Sequence, residues 1–241
     1  MRIDPANGVS LADLTLTYTV AGGAAQTAEL IDGLFYCNVP AKDMTSELVL
    51  TLQNANSQVQ TSAIATTTLR AYALALLTGE QTEAVKSTAK AMLNYGAMAQ
   101  NYFGYNTGSL ANGDYAYTQD QLDAADPGEV SGVHADTDVR PEAYAGASLL
   151  LQSKVGIRLY FKENVGGNLT YSESRDLYYY EFAGIGAGQL ATEQSVTIDG
   201  VTYTVSVLSM ARQVIDGDKY SDAFKNLMKA ITLYADAASK L

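Results

Sequence analysis

A chain of 241 residues, 47% hydrophobic and only 17% charged, carries enough apolar surface to bury a core and is not a disordered chain. Its 26 acidic against 15 basic residues leave a net charge of −11, which repels nucleic-acid phosphates and anionic lipid. The single cysteine, Cys37, excludes an internal disulfide, and no apolar run approaches the ~20 residues that cross a bilayer.

The opening MRIDPANG has no apolar signal segment and reads as the start of a piece cut from a longer exported protein. Leu14, Leu16, Tyr18 and Val20 then alternate with Thr15, Thr17 and Thr19, the two-residue period of a half-buried strand that Gly22-Gly23 ends. A second strand is expected from Glu29 to Asn38 with Gly33 as a bulge, stopped by Pro40. Cys37, on this half-apolar strand, reads as a small buried hydrophobe. Leu48, Leu50 and Leu52 mark a third strand before the turn residues Asn54, Asn56 and Ser57, and Val59 to Thr66 a fourth, closing an antiparallel sheet. Leu69 to Leu77 reads as a short helix with Gly79 as its C′ glycine. Gln81 or Thr82 leads into a long helix that runs to Tyr102 or Phe103 and stops at Gly104.

Residues 106–142 differ in composition. Asp114, Asp120, Asp123, Asp126, Glu129, Asp136, Asp138 and Glu142 face one basic residue, Arg140, and Pro127-Gly128 and Gly132 interrupt the segment. It reads as an acidic linker with one helical turn at Thr118 to Ala125. Beyond it, Ala147 to Leu151 and Val155 to Lys162 form an expected hairpin. Val155, Ile157, Leu159 and Phe161 share one face of its second strand and Arg158, Tyr160 and Lys162 the other. Leu177 to Phe182 is a tyrosine-rich strand, and Asp199-Gly200 between Val196 to Ile198 and Val201 to Val205 is a strong hairpin signal. A helix from Val207 to Ile215 ends at Gly217, and Ser221 or Asp222 caps a final helix.

The two long helices align: Ala84/Ala223, Lys86/Lys225, Lys90/Lys229, Ala91/Ala230, Tyr95/Tyr234 and Ala99/Ala238 are identical. Both keep an apolar seam at helical spacing, Val85, Ala89, Met92, Gly96, Ala99 and Phe224, Met228, Ile231, Ala235, Ala238, with small residues where another backbone is expected to approach. Leu14/Ile157, Leu16/Leu159, Tyr18/Phe161, Met44/Leu190, Glu47/Glu193 and Gly79/Gly217 extend the match. The expected fold is α+β: two tandem pseudo-repeats, each an antiparallel β-sheet covered by a helix pair, over residues 1–105 and 143–241.

The run from Met92 through Asn94-Tyr95-Gly96-Ala97-Met98-Ala99-Gln100 to Tyr105, with Leu110-Ala111-Asn112 after it, resembles a helix motif of large secreted and cell-surface proteins of anaerobic gut Firmicutes. Ala147 to Leu151 and the Asp199-Gly200 hairpin resemble the same family. The resemblance implies location: an extracellular module of a Gram-positive surface protein, of adhesin or glycan-binding type, some such proteins capturing host immunoglobulin. It assigns no functional residue, because the shared motif is one of packing, and the second long helix has Leu233, Asp236 and Ser239 where the first has Asn94, Ala97 and Gln100.

No catalytic constellation emerges. His134 is the sole histidine and lies in the acidic segment, where it reads as a solvated loop residue. Asp216, Asp218 and Asp222, or Asp136 and Asp138, lack the twelve-residue loop of a calcium site, and Gly184, Gly186 and Gly188 have no phosphate-loop context. No cofactor and no metal is expected. Tyrosine is the one feature that favours a function. There are 17, and Tyr178, Tyr179 and Tyr180 are consecutive on one strand, so Tyr179 must face away from the other two. With Tyr160 they are the candidate ligand-binding residues, and the expected partner is a host or bacterial protein, immunoglobulin being the concrete candidate. A polysaccharide-binding module is the alternative, although the chain has no tryptophan, and a structural spacer is the third reading.

Overall fold

The computed structural model describes residues 10–54, 62–138, 141–152, 154–166 and 168–241, and of residues 62–64 the backbone. The expectations at Asn56, Ser57, Val59 and Arg140 lie outside the described residues. The chain is mixed α+β, with several antiparallel sheets and five α-helices among the described residues.

Strand β1 (Leu14–Val20) buries Leu14, Leu16 and Tyr18 and turns Thr15 to solvent, as its alternation requires. It lies between β2 (Gln26–Thr27) and β5 (Leu48–Asn54). The single strand expected from Glu29 to Asn38 is instead a hairpin, β3 (Glu29–Ile31) and β4 (Leu34–Tyr36). Asp32 and Gly33 stand at φ 50 and 76°, the pair of left-handed residues that a type I′ turn needs, so Gly33 makes a turn and not a bulge. Strands β5 (Leu48–Asn54) and β6 (Ser62–Thr67) complete the first sheet in the order β2-β1-β5-β6.

Helix α1 (Leu69–Thr78) begins where the Thr68 hydroxyl accepts from Ala71 N–H, and α2 (Glu83–Phe103) where Thr82 accepts from Val85 N–H. Gly104 ends α2 in the left-handed conformation, at φ 62°. Gly79 does not end α1 that way. Its φ is −83°, and a Cβ there would stand 2.9 Å from the Ala75 carbonyl oxygen, so glycine serves close approach rather than left-handedness.

After α3 (Gln119–Asp123) and β7 (His134–Ala135), β8 (Tyr144–Leu151), β9 (Val155–Phe161), β10 (Thr170–Ser172) and β11 (Leu177–Ile185) build a second four-stranded sheet, ordered β10-β11-β9-β8. Strands β12 (Gln194–Ile198) and β13 (Val201–Val205) turn through Asp199 and Gly200, both at positive φ, and pair with β7 in a separate sheet. Helices α4 (Val207–Asp216) and α5 (Asp222–Ala238) follow, the latter capped by Ser221, whose hydroxyl accepts from Phe224 N–H.

The main core gathers Ile157, Leu159 and Phe161 of β9, Tyr203 and Val205 of β13, and the buried faces of α4 and α5. Tyr95 and Ala99 of α2 join it. The reason is the crossing of the long helices, which run antiparallel. The Thr88 hydroxyl donates to the Ala237 carbonyl at 3.0 Å, Tyr95 stacks on Tyr234 at 5.9 Å, and Tyr102 on Phe224 at 4.7 Å. With one face turned to α5, α2 does not cover the first sheet, contrary to the expected sheet-and-helix-pair arrangement of that half. The inner face of the first sheet packs instead on Ala28 and Phe35, while Ala73 of α1 packs with Leu93 and Ala97 of α2 in a smaller cluster.

The segment 106–142, expected as an acidic linker, is bonded to the long helices at several of its described residues. Asn94, fully buried in α2, donates to the Tyr115 carbonyl at 3.0 Å and accepts from Tyr117 N–H at 2.8 Å and from Asn112 Nδ2 at 2.9 Å. Gln100, also fully buried, donates to the Ser109 carbonyl and accepts from Ala111 N–H. Asp123 takes a 2.6 Å bond from Lys229, which holds its carboxyl below the usual range. The motif that carried the family resemblance is therefore a clamp for this segment. At the matching positions of α5, Leu233 packs against the main core and Ser239 donates to the Asp236 carbonyl.

Sequence alone predicts that a cut near Pro127-Gly128 leaves two pieces with retained secondary structure. The helix crossing adds that the pieces stay together. A chain nicked at an engineered protease site between Gly128 and Ser131 is expected to elute from gel filtration at the parent volume. Separation of the fragments under native conditions would show that the crossing does not hold the halves.

Candidate functional site

The candidate tyrosines divide between the two faces of the second sheet. Directly paired residues of an antiparallel ladder share a face. Tyr179 is paired with Tyr160 and Glu181 with Arg158, whereas Tyr178 is paired with Phe161 and Tyr180 with Leu159. Tyr178 and Tyr180 therefore lie on the core side, half-buried against the main core, and Tyr179 and Tyr160 on the outer side.

Outward orientation does not leave Tyr160 free. It is 4% exposed, because Arg175 covers its ring at 5.0 Å, Tyr179 leans on it at 6.2 Å, and its hydroxyl shares a 3.2 Å hydrogen bond with Ser148 of β8. Tyr179 is half-buried, as Tyr178 and Tyr180 are, with the Arg158 guanidinium 4.1 Å from its ring centre. Arg158 donates from Nε to Glu181 at 2.7 Å. Burial disfavours the guanidinium charge, but the Glu181 carboxylate outweighs it and holds Arg158 above its ordinary pKa.

The outer face thus carries an ion pair of Arg158 with Glu181, with Arg158 over the Tyr179 ring and Arg175 over the Tyr160 ring. Arg158, Arg175 and Glu181 were not among the candidates read from sequence. Parity along β9 put Arg158 beside Tyr160, and parity along β11 puts Glu181 beside Tyr179, so that part of the signal was legible. Arg175, in the turn between β10 and β11, gave none.

The other candidates are structural or dispersed. His134 pairs with Thr204 in β7 and is exposed. Asp136 accepts from Thr202 N–H at 2.9 Å and ties β7 to β13, and this bond holds its carboxyl below the usual range. Asp216 pairs with Arg212 at 2.7 Å. No group of three or more metal-ligating side chains comes together, and no helix is long and apolar enough to cross a membrane, among the described residues. Burial raises the half-buried Cys37 thiol above its ordinary pKa, as a protonated side chain beside the first sheet's core. Compared with known protein families, curated proteins and solved structures, the chain matches none.

Proposed function

We propose that the chain is a non-catalytic binding module of a bacterial surface protein, composed of two related halves, and that it captures a partner protein on the outer face of the β10-β11-β9-β8 sheet. The observation that carries this reading is the Tyr160/Tyr179 pair fixed by Arg158, Arg175 and Glu181. Tyrosine and arginine are the residue types enriched where proteins bind proteins, since they offer large contact area and directional bonds at small entropic cost. A sugar platform needs rings presented side by side, whereas these two are tilted by 54°. The carbohydrate reading is the weaker for that, and a spacer would have no reason to organise such a face.

Location rests on the resemblance of the α2 motif to gut surface proteins, and it makes immunoglobulin the first partner to test. The relation of the halves draws support from element order. In each, a strand (β1, β9), a hairpin, a 3-10 turn, a second hairpin and two helices occur in the same order, with β2 intervening after β1 in the first half. The matched residues Met44 and Leu190 are buried just after the 3-10 turns Ala41–Asp43 and Ala187–Gln189. Gly79 and Gly217 both stand where a Cβ would meet a carbonyl oxygen at 2.9 Å, that of Ala75 and of Gln213. The matched Tyr95 and Tyr234 stack on each other, as equivalent residues do at a two-fold axis. Strand pairing differs between the halves because β8 takes the edge of β9 that corresponds to the one β5 holds on β1.

The test is capture by the immobilised chain from serum, with purified immunoglobulin and insoluble polysaccharides as separate arms. Tyr179→Ala is expected to weaken protein capture by about 2 kcal/mol, roughly 30-fold, with little change in Tm. Tyr178→Ala, on the core side, is expected to lower stability by about 3 kcal/mol. Capture that survives Tyr179→Ala unchanged would sink this assignment of the face.

A further inference from the structure

Where the two halves meet, a cleft of about 270 Å³ opens between α2, α5, the residues around the 3-10 turn Ala41–Asp43, and the ends of β9 and β11. Its walls are apolar, with Met44, Met92, Ile185, Leu190 and Ile231 prominent. Its side-chain polar groups are the Tyr95 and Tyr234 hydroxyls, the Asn38 and Gln152 amides and the Lys154 ammonium. No carboxylate lines it among the described residues, although the chain as a whole carries a charge of −11.

Tyr95 is 6% exposed, and its hydroxyl has no hydrogen-bond partner among the described residues. No buried side-chain nitrogen or oxygen among the described residues lacks a partner, so this hydroxyl is not sealed in, and Tyr95 is one of the residues that line the cleft. A phenol so placed, with an ammonium and two amides nearby and no carboxylate, favours a ligand that accepts hydrogen bonds and carries negative charge. A cationic group would meet the Lys154 ammonium and no carboxylate among the described lining residues.

We propose that this cleft is a site for a small monocarboxylate with an apolar body of a few carbons or a single ring. The carboxylate accepts from Tyr95 and Tyr234 and faces Lys154, and the body fills the space between the two methionines and Ile231. Desolvation, and secondarily Tyr234 beside it, raises the Tyr95 pKa well above that of a free phenol, so Tyr95 stays a neutral donor across the physiological range. Lys154 is shared with Glu29, 3.2 Å away at the surface, so Glu29 competes with the ligand for the ammonium. The volume is at the small end for ligand sites, which sets an expected Kd on the order of 0.1 mM. The site is separate from the tyrosine face and stands whether or not that face captures a protein.

The test is calorimetric titration of the whole chain with straight-chain carboxylates of four to eight carbons, with phenylacetate, and with the matching alcohols. One saturable site is expected, at least ~10-fold tighter for a carboxylate than for its alcohol. Tyr95→Phe and Lys154→Gln are each expected to weaken it by ~5-fold or more at unchanged Tm, and Glu29→Gln to tighten it. The proposal is overturned if no carboxylate saturates, if alcohols bind equally well, or if binding ignores both Tyr95→Phe and Lys154→Gln. Should Tyr95→Phe lower Tm, the Lys154→Gln and Glu29→Gln pair, moving affinity in opposite directions, decides the matter alone.

Discussion

Replacing Asn94 by Leu is expected to destabilise the protein by about 2 to 4 kcal/mol, because the new side chain fills the site but pairs nothing. Asn94 is the partner of Tyr117 N–H, of the Tyr115 carbonyl and of the Asn112 amide, and all three bonds tie the segment after α2 back onto that helix. The loss should be local as well as global. Proteolysis between residues 106 and 117 should accelerate before the long helices melt, since the clamp and not the helix is broken. The same direction is expected of Gln100→Leu, whose amide group bonds Thr45, Ser109 and Ala111. Urea unfolding of each variant beside the parent measures the effect, and equal midpoints would show that the clamp contributes nothing.

Gly96→Leu should cost about 3 kcal/mol, toward the upper end for overpacking. A Cβ at Gly96 collides with the Met44 sulfur and stands 3.1 Å from the Ala41 carbonyl oxygen, so even alanine must displace Met44 and leucine must move the turn itself. Ala235→Leu, at the matching place in α5 and 5% exposed, should cost about 1 to 3 kcal/mol. Ala41 and Met44 also line the cleft between the halves, so Gly96→Leu should alter carboxylate binding, whereas Asn94→Leu should leave it intact below the unfolding range. If both Gly96→Leu and Ala235→Leu melt with the parent, no tight packing at the small seam positions holds these helices.

Both predictions rest on residues that looked alike in sequence, small or polar positions within one helical motif, and that tertiary contacts turn to different ends. The seam at Gly96 was legible because a small residue at a regular helical position implies a neighbour. The clamp at Asn94 was not, since nothing in the sequence says that a buried amide will reach a carbonyl twenty-one residues away. The candidate tyrosines repeat the contrast. Alternation determined that Tyr179 opposes Tyr178 and Tyr180, and it put Tyr160 on the face opposite Ile157 and Leu159. Exposure did not follow from that orientation, because Arg175 and Ser148, from a turn and a neighbouring strand, cover Tyr160.

By itself the sequence determined the local elements: β1 from its two-residue period, α2 from its 3.6-residue seam and Thr82 cap, and the β12 to β13 hairpin from Asp199-Gly200. These are set by side-chain parity, capping bonds and backbone sterics within a few residues, so a short window contains their causes. The β8 to β9 hairpin was legible in the same way, whereas only the tertiary structure decided that the first sheet would pack on its own hairpin and that α2 would lie against α5. Those choices depend on which apolar faces meet across tens of residues in the first sheet and more than a hundred between α2 and α5. Several pairings satisfy the same local pattern equally well, and the one that buries the most surface with every polar group partnered is visible only when all of them are present at once.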